Sequence, residues 1–90
     1  MIKWIYKPNG ICPVQAEGYF MGHYFYFRAR HERVTIDFSK DEESWWNGNI
    51  EKLYLLKRIE EAGWLSEKKC IRLIRKGCLM FLLRIKSNYK

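Results

Sequence analysis

The stretch Val14–Arg30, Val-Gln-Ala-Glu-Gly-Tyr-Phe-Met-Gly-His-Tyr-Phe-Tyr-Phe-Arg-Ala-Arg, constrains the fold more than any other part of this chain. Two arms of alternating character flank Met21-Gly22, and glycine at a tight turn supplies the positive φ that other residues resist. With Phe20 opposite His23 across this loop, Tyr19 faces Tyr24, Glu17 faces Tyr26 and Gln15 faces Arg28 on one side. On the other side Gly18 meets Phe25, Ala16 meets Phe27 and Val14 meets Ala29. Small residues lie opposite large ones on one surface, and acid and amide lie opposite tyrosine and arginine on the other. A slip of one residue would scramble both surfaces together, so the match itself argues for the register.

The hairpin extends naturally into a meander over residues 1–40. Ile2–Tyr6 has a strand's alternation, and Lys7-Pro8-Asn9-Gly10 has the chemistry of a turn. Ile11–Phe20 and His23–Arg30 are the hairpin arms, with Pro13 near the start of the first, where a missing N–H matters least. Beyond His31-Glu32-Arg33, the residues Val34, Ile36 and Phe38 alternate with Thr35, Asp37 and Ser39.

The second half reads as helical. After an acidic connector over 41–49 containing Trp45-Trp46, the apolar positions Ile50, Leu53, Leu56 and Ile59 have helical spacing, so a helix is predicted over 50–62 with Asn49 as its N-cap. Ala62-Gly63 makes its stop. A second helix is predicted over 66–76, capped by Ser66. At 100° per residue it gathers Lys68, Lys69, Arg72, Arg75 and Lys76 on one face, opposite Cys70, Ile71, Leu73 and Ile74. Extending it past Gly77 would put Leu79 and Leu83 among the cations. Gly77 is therefore read as the residue after the helix, and 79–86 as a strand, with one continuous helix from Ser66 to Ile85 as the alternative. The expected architecture is α+β: one domain over 1–90, an antiparallel sheet of three to five strands, and two helices packed on one face.

Charge is uneven along this frame. The net charge of +7 falls entirely in residues 66–90, where Glu67 is the sole acid. Such asymmetry favours phosphate or an acidic partner, although solubility alone also accounts for it. Cys12, Cys70 and Cys78 form neither a Cys-x-x-Cys unit nor a finger-like pattern with histidine. They read as reduced, mostly buried thiols in a cytoplasmic protein, with no disulfide framework and no metal site. The longest apolar run, Cys78–Leu83, is far short of a membrane span, and the start of the chain lacks the features of a signal peptide.

No catalytic constellation emerges, and no cofactor is implied. Cys12 with His23 or His31 lacks any local signature of a nucleophile, and Glu17 reads as the charge that balances Arg28 and Arg30. Two binding surfaces remain. Lys68, Lys69, Arg72, Arg75 and Lys76, together with the hot-spot residue type at Trp45 and Trp46, form the candidate partner-binding set. Tyr24, Tyr26, Arg28 and Arg30 form a candidate nucleic-acid platform, aromatics on a sheet with arginine beside them. For each surface there is a plain alternative: a solvated helix face, a hydrophobic plug, and a sheet face half covered by a helix.

Cys12-Pro13-Val14-Gln15-Ala16-Glu17-Gly18 and Phe25-Tyr26-Phe27-Arg28-Ala29-Arg30, with a weaker echo in Ala62–Glu67, resemble a group of small bacterial and prophage-type proteins of uncharacterised role. The resemblance implies a mobile-element setting and a hairpin followed by a helical C-terminal half. Short non-enzymatic proteins from such settings are often inhibitors of host defence, anti-CRISPR proteins among them. The leading expectation is accordingly a non-catalytic inhibitor acting in the bacterial cytoplasm on a host protein or ribonucleoprotein complex. The second is a module that binds RNA or single-stranded DNA.

Overall fold

The computed structural model describes residues 1–88 and is an α+β fold. Five antiparallel strands, β1 (Ile2–Asn9), β2 (Val14–Phe20), β3 (His23–Arg30), β4 (Arg33–Ser39) and β5 (Lys52–Arg58), follow one another across a sheet in chain order. A short helix α1 (Glu42–Trp46) lies between β4 and β5. A 3-10 turn (Ala62–Trp64) and a long helix α2 (Glu67–Leu82) follow β5.

The central hairpin has the expected register at every pair from Val14↔Ala29 to Phe20↔His23. Its turn takes positive φ at both Met21 and Gly22, the type I′ geometry whose twist matches that of the flanking strands. Val14, Ala16, Phe25, Phe27 and Ala29 form the buried surface, continued by Val34, Ile36 and Phe38 of β4 and by Tyr54 and Leu56 of β5. Gly18 is needed there, since a Cβ would stand 2.9 Å from the Phe25 ring and 2.5 Å from the Lys3 carbonyl oxygen.

Helix α2 covers this surface with Cys70, Ile74 and Cys78, and the 3-10 turn adds Ala62. Near the C-terminal end of α2, Phe81 stacks on Phe38, with ring centroids 4.3 Å apart. Both of these helical segments thus pack on one face of the sheet. The short α1 lies against the other face, where Trp45 meets Tyr24 and Tyr26. It is capped by Asp41, whose Oδ1 accepts the Ser44 N–H at 2.8 Å.

Several sequence expectations need correction. The predicted helix over 50–62 is instead the edge strand β5 followed by the 3-10 turn. Tyr54 and Leu56 point into the core while Leu53 and Leu55 are half-buried on the opposite side. A strand covered on both faces loses its polar alternation, and its apolar run then passes for a helical stripe.

The helix predicted over 66–76 continues to Leu82, so 79–86 is not a strand. Gly77 is an interior helical residue, buried where a Cβ would sit 2.7 Å from Ile36 Cγ2. It allows close helix–sheet approach and does not end the helix. The misplaced leucines that argued against continuation are indeed exposed, Leu79 at 54% and Leu83 at 63%. β1 also runs beyond Tyr6 to Asn9, with register shifts on either side of Tyr6. The chain reverses over 10–13, with Gly10 at φ +91°.

After α2 the chain returns along the outer edge of β5. Ser87 Oγ accepts the Leu53 N–H at 2.9 Å, and Asn88 both accepts the Leu55 N–H at 2.8 Å and donates to the Leu55 carbonyl at 3.3 Å. The Tyr54 hydroxyl donates to the Ile85 carbonyl. Side chains thereby satisfy backbone groups that an uncovered edge would offer to another chain.

Candidate nucleic-acid interface

The face of the sheet away from α2 is built in rows set by strand register. One row runs Glu17, Tyr26, Asp37, Leu53 across β2 to β5, and the next runs Gln15, Arg28, Thr35, Leu55. At the end of the sheet Arg30 pairs with Arg33, and Arg33 with Arg58. Like charges directly opposite one another in a sheet are destabilising by themselves.

These rows floor an open groove of about 560 Å³. Arg28, Arg30, His31 and Arg33 line its cationic end. Tyr26, Trp45, Leu53 and Asp37 line its aromatic and apolar end, with Thr35 between. The Arg28 Nε is buried and finds no acceptor among the described residues.

Trp45 is the wall of the groove. Its indole N–H donates to Asp37 Oδ2 at 3.0 Å, and its ring lies 4.8 Å from Tyr26 and 5.8 Å from Tyr24, centroid to centroid. Burial pulls the Asp37 carboxyl above its usual range, partly offset by the indole hydrogen bond. Trp46 projects outward, 71% exposed, with its ring edge-on to Trp45 at 5.0 Å.

Behind Trp45, the Tyr24 hydroxyl donates to Glu17 Oε1. Burial first, and this hydrogen bond second, raise the Tyr24 phenol, and the same causes act on Tyr6. Glu17 is thus a partner of tyrosine hydroxyls, which corrects the expectation that it balances Arg28 and Arg30.

The structure divides the sequence-derived candidates. Tyr26, Arg28 and Arg30 meet in the groove, joined by Trp45 from the other candidate set. Tyr24 is fully buried beneath Trp45 and presents no face to a ligand. Lys68, Lys69, Arg72, Arg75 and Lys76 are all exposed, but on α2, on the opposite side of the sheet. They cannot share one site with Trp45 and Trp46. One of them, Lys76, reaches back to donate to the Leu56 carbonyl at 3.2 Å.

Sequence reading missed His31, Arg33, Thr35, Asp37 and Leu53. The alternation of Thr35 and Asp37 with Ile36 did place those two on the polar face. Leu53 was hidden by the helical reading of its segment, and Arg33 by being taken as part of a turn.

Cys70 and Cys78 are buried and Cys12 is exposed. Among the described residues no three His, Cys, Asp or Glu side chains gather as a metal site, and no helix is long and apolar enough to cross a membrane. Compared with known proteins, the chain matches no family model, no curated protein and no solved structure.

Proposed function

We propose that this protein is a non-catalytic module that binds single-stranded nucleic acid in the groove beneath Trp45. The observation that carries the reading is the juxtaposition of arginines with the Trp45–Tyr26 aromatic wall. Arg28 and Arg30 stand beside this wall on one strand, and Arg30 is exposed to solvent. Phosphates answer the guanidinium groups, which suit planar oxygen acceptors, and bases answer the aromatic wall by stacking.

The test is tryptophan fluorescence titration with a short oligothymidylate at several salt concentrations. Phosphate contacts by Arg28 and Arg30 predict that log affinity falls with a slope of roughly −1.4 against log salt, at about −0.7 per phosphate for single strands. Binding that ignores salt, or no binding at low salt, overturns the reading.

A second reading is favoured by the solvated basic face of α2. In it the protein is a phage- or prophage-type inhibitor, anti-CRISPR-like, that works in the bacterial cytoplasm by occupying a surface of a host defence nucleoprotein complex. It requires that purified defence effectors lose target binding when the protein is added. Unimpaired target binding across a panel of effectors removes it.

A further inference from the structure

Resting on the single-strand reading, we infer that the groove selects guanine, with the Asp37 carboxylate receiving the base's ring N–H and exocyclic amine. Asp37 lies at the centre of its row, between Tyr26 and Leu53 on the neighbouring strands. Its Oδ2 already accepts the Trp45 indole N–H, and among the described residues its other oxygen meets no donor. An ionised carboxylate is acceptor-only and has about four lone-pair sites, so capacity remains for two further donors.

Guanine is the common base whose Watson–Crick edge offers two adjacent donors, the N1–H and the N2 amine. Cytosine and adenine each offer one exocyclic amine beside a ring acceptor, which a carboxylate repels. Uracil and thymine offer one ring N–H between two carbonyl oxygens. The indole bond fixes the position of the carboxylate, while Trp45, Tyr26 and Leu53 supply apolar surface for the ring plane.

The groove also has a direction. Asp37 repels phosphate, whereas Arg30, exposed at the other end, attracts it. Arg30 lies opposite position 33, four residues from Asp37 along β4, about 13 Å at the rise of an antiparallel strand. An extended nucleotide and the reach of an arginine side chain together bridge that span. The base therefore lies at the Trp45 end and its phosphate at the arginine end.

The experiment titrates the intact protein with GMP, IMP, AMP, CMP and UMP, reading tryptophan fluorescence, and repeats the series with Asp37→Asn. Hydrogen bonds to a charged group predict that GMP binds at least about tenfold more tightly than AMP, CMP or UMP. IMP, lacking the N2 amine, falls between. Asp37→Asn, of equal size and still able to accept the indole N–H, abolishes the GMP preference.

Equal affinity for all five nucleotides, a preference for CMP, or a GMP preference that survives Asp37→Asn overturns the inference. Salt-sensitive oligothymidylate binding in the same preparation shows whether only base selection has failed or the single-strand reading with it.

Discussion

At the scale of single residues, two substitutions test the packing beneath α2. Phe27 is fully buried at the centre of the covered face, so Phe27→Ala should cost about 3–5 kcal/mol in urea unfolding. A nearly neutral result would mean that Phe27 does not lie in the core. Gly77→Ala sets two effects against each other. Alanine gains about 1 kcal/mol of helix propensity, but its Cβ meets a branched methyl of Ile36 at 2.7 Å, and overpacking typically costs about 1–3 kcal/mol. Overpacking should win, leaving the variant less stable than the parent, and a raised unfolding midpoint would contradict this. The thiols give a pH prediction. Burial pushes Cys70 up to about 11 and Cys78 up to about 12, from an ordinary 9.0. Both stay protonated in the fold where they would ionise in the unfolded chain. Their stabilising contribution is therefore complete below pH 9.0 and lost as the pH rises towards those values. Unfolding midpoints measured from neutral to alkaline pH should fall, and the buried Tyr24 acts with the same sign.

Among elements, legibility followed how far local pattern and burial agreed. The β2–β3 register could be read from the chain because Gly18, Ala16 and Val14 sit opposite Phe25, Phe27 and Ala29, a size match that only one register satisfies. β5 could not be read because Leu53 and Leu55 are partly covered on the polar face while Tyr54 and Leu56 enter the core. The end of α2 was misread because Gly77 has the composition of a stop but the environment of a helix–sheet contact. The same limits governed the groove. Its β3 side chains were visible in the hairpin pattern, whereas its β4 and β5 side chains depended on pairings that the helical reading of 50–62 had removed. The covered edge of β5 carries its own prediction. Asn88 makes both an accepting and a donating bond with the Leu55 backbone. Asn88→Ala should speed hydrogen exchange of the Leu55 amide while leaving β2 and β3 amides unchanged, since edges open locally at low free energy. Unaltered exchange at Leu55 would show that the tail does not protect the edge.

At the scale of the whole molecule, the sheet separates two basic surfaces that sequence alone could not place relative to each other. One is the groove holding Arg28, Arg30 and Arg33, and the other is the outer face of α2 carrying Arg72 and Arg75. A core one sheet and one helix thick stands between them, so each is open to independent substitution. Sites on opposite faces of the sheet are expected to act additively. Arg30 is exposed, and Arg30→Ala should leave the fold intact while lowering oligothymidylate affinity and reducing the salt slope by about 0.7, the share of one phosphate on a single strand. Arg72→Glu with Arg75→Glu should leave the affinity within about threefold, because salt at physiological strength screens exposed charges beyond about 8 Å. If instead the α2 pair abolishes oligonucleotide binding and Arg30→Ala does not, the nucleic acid runs over the helix and the groove is not its site. If the α2 pair spares oligonucleotide binding but relieves inhibition of a defence effector, the two faces serve different partners.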